Sequence, residues 1–249
     1  LPNGIDIIEL ILACFQSGVI AVPVSTKYTD SELVKIIKMI NPKSIITNWE
    51  FSNRVNSFGI DVIAIEEFLS ISRVCQKYNP VNKIKKNDVA AIILTSGTTD
   101  IPKAVQLTYN NFEASCKNWN SFLRFKNKDQ FLCCLPLHHI GGLAVVVRAL
   151  IYGFSINLAD SFNSDLLYKI IKKHPISIVS LVPTMLEKII NNSDGINILK
   201  HLRAILLGGG PASDELLNTC IKNKLNIVKT YGMTETCSGV VGMWINDNP

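Results

Sequence analysis

Short apolar runs alternate with longer amphipathic ones along most of this 249-residue chain. The stretch from Ile5 to Gln16 is helix-like and stops at Gly18, and Val19 to Val24 then reads as a strand. Thr29-Asp30-Ser31-Glu32 has the form of a helix start, and that helix runs to about Ile40. Ser44 to Thr47 and Asp61 to Ile65 are brief, apolar and β-branched, the pattern of strands buried on both faces. A polar break, Lys77 to Asp88, then separates a first part, residues 1–80, from a second, residues 81–249. Beyond the break, strands are predicted at Val89 to Leu94, Ala104 to Thr108, Phe131 to Leu135, Ser155 to Leu158, Ile176 to Leu181, Ala204 to Leu207 and Ile227 to Thr230. Helices are predicted at Asn110 to Arg124, Asp165 to Lys173, Thr184 to Asn191 and Ser213 to Lys222, with an apolar one after Ile140. The alternation implies an α/β fold of layered, parallel-rich sheets flanked by helices.

Ligands of open α/β sheets bind at the carboxyl ends of the strands. The loops after Leu94, Leu135, Leu207 and Thr230 are therefore the places to look for chemistry. The first reads LTSGTTDIPK, residues 94–103. Its hydroxyls and backbone N–H groups are closely spaced donors, Gly97 lets an anion approach the backbone, and Lys103 adds a positive charge. This set suits a polyphosphate. A flexible surface loop has the same composition, so the residues alone leave both readings open. The loop is not the G-x-x-x-x-G-K-[ST] nucleotide motif, since the second glycine and the trailing hydroxyl are missing.

Composition narrows the classes. The net charge is +5, and the densest basic cluster, Lys83-Ile84-Lys85-Lys86, has no interleaved aromatic, so a nucleic-acid partner is not expected. Seven cysteines, with no C-x-x-C spacing, read as reduced thiols in a cytoplasmic protein. The apolar stretches Ile7 to Val24 and Ile140 to Leu158 are broken by charges, glycines or proline, so no integral membrane segment is expected. No G-x-S-x-G, H-E-x-x-H or G-x-G-x-x-G is present.

Read in order, T-S-G-T-T-x-x-P-K resembles the phosphate loop of the adenylate-forming enzymes: acyl-CoA synthetases, luciferases and the adenylation domains of peptide synthetases. "PLHHIGGL" (Pro136 to Leu143), "LLGGGP" (Leu206 to Pro211) and "YGMTETCS" (Tyr231 to Ser238) resemble that family's later motifs, in the family's order. The flanking strings "VPTMLEKII" and "LRAILLGGGPA" narrow the resemblance to acid–CoA ligases that take an aromatic dicarboxylic acid in menaquinone biosynthesis. Fatty acids and aryl acids such as a coumarate are the alternative substrates, and a catalytically inactive nucleotide-binding relative is the alternative function.

The resemblance implies a role for each motif. Thr95, Ser96, Gly97, Thr98, Thr99 and Lys103 would hold the phosphates of ATP. Tyr231 would stack on adenine, with Gly232 and Met233 shaping the turn. Thr234 would donate to the α-phosphate, and Glu235 would help hold Mg²⁺. Gly208, Gly209 and Gly210 would let backbone lie flat against adenine or an aromatic acid. His139 would orient the acyl carboxylate or gate its entry, while His138 is read as packing. Arg148 is expected in an internal salt bridge, with contact to a substrate carboxylate as the alternative. Coenzyme A is the implied second substrate, and a homodimer is the candidate assembly.

Two departures stand out. The chain opens at Leu1 rather than Met, and it ends before the family's ribose-binding aspartate, hinge and small lysine-bearing domain. The expectation is a fragment that alone adenylates poorly and makes essentially no thioester. Asp100 also stands where the family usually has glycine or serine, and Ala104 often corresponds to glycine. A carboxylate about 7 Å from a phosphate charge is repelled by roughly 2 kcal/mol at an effective dielectric near 20. Asp100 is thus expected to weaken ATP binding unless Mg²⁺ or Lys103 offsets its charge.

Overall fold

A computed structural model describes residues 1–72, 83–95 and 102–246. Helix α1 (Ile5–Ser17) ends as predicted on Gly18, which takes the left-handed conformation at φ 69°. Helix α2 (Asp30–Ile40) opens on a capping box between Thr29 and Glu32. Strand β1 (Ser44–Thr47), helix α3 (Trp49–Val55), strand β2 (Asp61–Ala64) and helix α4 (Ile65–Ser72) follow, and β1 and β2 pair in parallel. Residues 77–82 of the polar break lie outside the described residues. Strands β3 (Val89–Thr95) and β4 (Lys103–Thr108) form a separate antiparallel pair.

The rest of the chain continues with helix α5 (Tyr109–Leu123), strand β5 (Gln130–Cys133), helix α6 (Ile140–Tyr152), strand β6 (Ser155–Leu158) and helix α7 (Ser164–Lys173). Strand β7 (Ile178–Leu181), helices α8 (Pro183–Ile190) and α9 (Gly195–Lys200), strand β8 (Ala204–Leu207) and helix α10 (Asp214–Lys222) come next. Strands β9 (Ile227–Met233) and β10 (Ser238–Trp244) close the described chain. Strands β5 to β10 make one six-stranded sheet in the order β10-β9-β8-β7-β5-β6. All its pairings are parallel except β9–β10.

Side chains along these strands alternate between two cores, as the period of two requires. Phe131, Cys133, Ile178, Ala204, Leu206 and Val228 face one core with α1, α5 and α6. Leu132, Cys134, Val179, Leu181, Ile205, Leu207 and Ile227 face the other with α7 to α10. Each large side chain so buried stabilises the fold by about 1.5–3 kcal/mol. The helix after β5 covers the first face and the helix after β6 covers the second. Strand order therefore reverses at β5, with β6 on one side and β7 on the other, and in sheets of this kind ligands bind at the carboxyl ends beside such a reversal.

The opposite, amino-terminal ends are tied by a buried ion pair. Arg203 Nη2 donates to Asp129 Oδ2 at 2.6 Å, Ser177 Oγ donates to Asp129 Oδ1 at 2.9 Å, and Arg203 Nη1 donates to the Leu123 carbonyl at 2.9 Å. Burial pushes the Asp129 carboxyl up, but the bonds from Arg203, the Lys126 N–H and Ser177 outweigh it and hold it below its usual value.

Two expectations are corrected. Val19 to Val24 is not a strand: it makes one parallel bridge, Ala21 with Ala91, through Ala21 N–H to the Ala90 carbonyl and Ile92 N–H to the Ala21 carbonyl. Pro23 brings no N–H to extend the ladder, and Val19 and Ile20 are exposed. The sheets are parallel-rich as expected, with two antiparallel pairs, β3–β4 and β9–β10, among the described residues. The connection from β3 to β4, residues 96–102, is too short for a crossover, so β4 returns antiparallel. Arg148 has no carboxylate partner among the described residues. Its guanidinium donates to Ser238 Oγ at 3.2 Å and lies over the Trp119 ring, 5.3 Å from the centroid. Among the described residues no helix is long and apolar enough to cross a membrane.

Candidate active site

The predicted phosphate loop is closed by its two flanks. Thr95 ends β3, Lys103 begins β4, and the two are cross-strand partners. Thr95 is half-buried and Lys103 is exposed. Ser96, Gly97, Thr98, Thr99 and Asp100 lie outside the described residues. Strand β4 packs beside the single 3₁₀ turn Thr234–Thr236. The fold thus brings the strand that carries Lys103 next to the turn that carries Thr234 and Glu235, although residues 103 and 235 are far apart in sequence.

That turn sits between β9 and β10. Tyr231 is 62% exposed, Met233 is exposed, Thr234 is half-buried and Glu235 is exposed. An aromatic of this size left 62% open on β9 is available for stacking. The Cys237 N–H donates to the Thr234 carbonyl at 2.9 Å and closes the turn. Gly232 lies opposite Gly239 across the β9–β10 ladder, and a side chain on Gly232 would meet the Ser238 carbonyl oxygen at 2.3 Å.

The three glycines after β8 differ. A Cβ on Gly208 would fall 2.1 Å from Thr230 Oγ1, which itself donates to the Leu207 carbonyl at 3.1 Å. Gly209 takes φ 78° and faces Val182. Gly210 meets nothing within 4 Å. The fold needs the first two, and Gly210 has open space in front of it.

His138 and His139 occupy the loop from β5 to α6, at the strand-order reversal. Their rings stand 4.3 Å apart, tilted by 52°. His139 is the N-terminal cap residue of α6 but makes no side-chain cap bond, so its exposed ring has no structural duty there. Burial, with smaller contributions from His139 and Lys27, pushes His138 down to about 4, and burial lowers His139 as well. Both imidazoles are therefore neutral at pH 7. Among the described residues no hydrogen bond, ion pair or ring contact joins His139 to the Thr234–Glu235 turn.

Sequence reasoning missed the residues that shape these loops. Asn3 fixes the histidine loop: its Nδ2 donates to the Leu135 carbonyl at 3.2 Å, and its Oδ1 accepts from the Leu137 N–H at 2.9 Å. Ser115 and Trp119 on α5 bond to Cys237 and Gly239 just after the turn. None of these stands in a motif, and their partners are more than a hundred residues away, so no local signal marks them. Among the described residues no group of three or more metal-ligating side chains gathers. A lone carboxylate such as Glu235 has the chemistry that suits Mg²⁺, which takes one or two carboxylates and fills its shell with phosphate oxygens and water.

Comparison with known proteins places the chain in a family. A sequence model of the family described as AMP-binding enzyme matches residues 1–249. The 2-succinylbenzoate–CoA ligase of Bacillus cereus (strain AH820) is 31% identical over 240 residues, covering 96% of this chain and 48% of that protein. The o-succinylbenzoate CoA synthetase of Bacillus subtilis in complex with the acyl-adenylate intermediate OSB-AMP superposes with a TM-score of 0.88 at 28% identity. The same enzyme in complex with ATP and magnesium ion gives 0.87, also at 28% identity. Both alignments cover 98% of this chain and 50% of the other. The chain spans about half the length of the curated relatives it matches.

Proposed function

This chain belongs to the AMP-binding enzyme family, and on that premise we propose that the protein is an ATP-dependent acid–CoA ligase. The acid is 2-succinylbenzoate, and the product feeds menaquinone biosynthesis. In the first step a carboxylate oxygen of the acid attacks the α-phosphorus of ATP, the bond to the β-phosphate breaks, and pyrophosphate leaves. In the second, the thiol of coenzyme A attacks the acyl carbon, and AMP leaves.

The observation that carries the reading is the packing of β4 against the Thr234–Thr236 turn. It brings the strand that begins at Lys103 to the turn that carries Thr234 and Glu235, and the exposed Tyr231 lies on the strand leading into that turn. Tyr231 stacks on adenine, Gly210 clears space for a planar group, and Thr234 donates to the α-phosphate. Lys103 and the Thr95 to Thr99 loop carry the outer phosphates. Mg²⁺, held by Glu235, supplies charge neutralisation on those phosphates. The neutral His139 ring orients the acyl carboxylate without adding charge. Catalysis here is positioning and electrostatic neutralisation, since this chain supplies no nucleophile.

Residues 1–80 and 81–249 form parts of one AMP-binding domain in this reading, and α1 packing in the same core as α5 and α6 supports it. The protein acts in the cytoplasm, and a homodimer is the assembly to test by sedimentation. Asp100 favours a second reading, a relative that binds nucleotide without turnover. The decisive experiment is ATP–pyrophosphate exchange by the full-length gene product with 2-succinylbenzoate, a medium-chain fatty acid and a coumarate. Exchange with the first alone supports the ligase reading. ATP binding without exchange on any acid replaces it with the second.

A further inference from the structure

The backbone just after Glu235 is strained. Cys237 and Ser238 are consecutive non-glycine residues at φ 54° and 89°, in the left-handed region that side chains avoid. Four side-chain bonds hold them there. Ser115 Oγ donates to the Cys237 carbonyl at 2.7 Å, and the Trp119 indole N–H donates to the Gly239 carbonyl at 2.8 Å. Arg148 donates to Ser238 Oγ at 3.2 Å, and Thr236 Oγ1 donates to the Ser238 carbonyl at 2.8 Å.

Three of these donors form one unit. Ser115 and Trp119 are four residues apart on α5 and share a face. Arg148, on α6, lies over the Trp119 ring. Gly239 admits that ring, since a Cβ there would fall 2.5 Å from Trp119 Cζ2. Arg148 is 2% exposed, and its Nε has no hydrogen-bond partner among the described residues. A desolvated cation without a carboxylate and two residues in costly backbone conformations are both destabilising. Neither improves the core, and both converge on the one turn that connects Glu235 to β10.

We propose that Ser115, Trp119 and Arg148 are positioning residues that lock the Cys237–Ser238 turn and thereby fix where Thr234 and Glu235 stand. The Thr234–Thr236 turn is anchored on one side by the β9 ladder and on the other by this clamp. Mg²⁺ demands ligand distances of about 2.0–2.1 Å, so a carboxylate displaced by even about 1 Å no longer serves. The inference rests on the ligase reading above.

The test is exchange kinetics of the full-length protein at varied free Mg²⁺. Trp119→Phe keeps an aromatic ring but removes the indole N–H, and Ser115→Ala removes the other α5 donor. Each should raise the Mg²⁺ needed for half-maximal exchange roughly three- to tenfold, the worth of one hydrogen bond. The KM for the acid should not move, and far-UV circular dichroism should remain native. Glycine adopts φ 54° without strain, and Cys237 enters the clamp only through its carbonyl, so Cys237→Gly added to Trp119→Phe should restore much of the Mg²⁺ affinity. A purely structural role predicts no such rescue. Unchanged Mg²⁺ dependence in Trp119→Phe, or a double variant no better than the single, would overturn the positioning role while wild-type exchange leaves the ligase reading intact. Absence of exchange in the wild type removes both.

Discussion

Gly232→Ala isolates the steric demand of the β9–β10 hairpin. Gly232 has no left-handed φ, so alanine suits its backbone, and the whole effect is contact across the ladder. The new Cβ would stand 2.3 Å from the Ser238 carbonyl oxygen and 2.5 Å from the Gly239 Cα. Ordinary contact starts at 3.4 Å, so the overlap is near 1 Å, and the obstacle is backbone that no rotamer change can clear. The strands must part. Overpacking of this kind costs about 1–3 kcal/mol, and each ladder bond lost adds about 0.5–1.5 kcal/mol. The expected loss is therefore about 2–4 kcal/mol in urea unfolding, together with weakened ATP–pyrophosphate exchange because the Thr234–Thr236 turn moves with the strand. Gly210→Ala is the control. Nothing lies within 4 Å of its Cβ, so stability should change by less than about 0.5 kcal/mol. A loss of exchange in Gly210→Ala without a loss of stability marks close ligand approach at that position. Gly232→Ala as stable as wild type would refute the reasoning, since the Gly232–Gly239 pairing could not then be as close as described.

Three further outcomes follow from the charges. Arg203→Met leaves Asp129 buried with Ser177 and a backbone N–H as partners; Arg203 is partly solvated, so the cost at pH 7 should be about 2 kcal/mol, below the range for a fully buried pair. Because the Asp129 carboxyl is held below its ordinary 3.8, its contribution is present above that value and lost as pH falls through the lowered one, so the gap between variant and wild type should narrow towards pH 3. His138 is depressed to about 4, so the folded state binds fewer protons than the unfolded chain between about pH 6.5 and about 4. Stability should decline as pH falls through that window, and His138→Phe should flatten the decline in thermal scans; an unaltered profile would contradict it. In the full-length protein Asp100→Gly should tighten ATP, and unchanged affinity by calorimetry would show that its charge is offset.

Most of the fold is legible in the sequence because burial on both sheet faces leaves uninterrupted β-branched runs. Ala204–Leu207 is recovered residue for residue, and the capping box at Thr29 marks α2. Elements with a weaker local pattern were not legible. Helices α3 and α9 are only 7 and 6 residues long, too short to show a period. Strand β10 leaves Val240, Val241 and Met243 exposed and contains two glycines, so it lacks the signature of a buried strand. The motif residues are local strings and therefore readable. Which motif stands beside which was not, because the contact of β4 with the Thr234–Thr236 turn is purely tertiary. Arg148 illustrates the limit: the sequence shows a cation on an apolar helix, but its partner is an aromatic ring and a hydroxyl, which no charge rule predicts.

The alternation of side chains at the end of β5 places two thiols in a useful relation. Cys133 and Cys134 are neighbours in sequence, yet one belongs to the core under α5 and α6 and the other to the core under α7 to α10. Burial pushes both up to about 12, so neither is a thiolate in the native protein at neutral pH. Alkylation at either sulfur must wait for its own layer to lift. Pulsed labelling with a small iodoacetamide, read by mass spectrometry on a single peptide, would time the opening of the two helical layers separately. Equal rates would mean that the sheet loses both covers in one cooperative event, and unequal rates would show which half of the molecule breathes first.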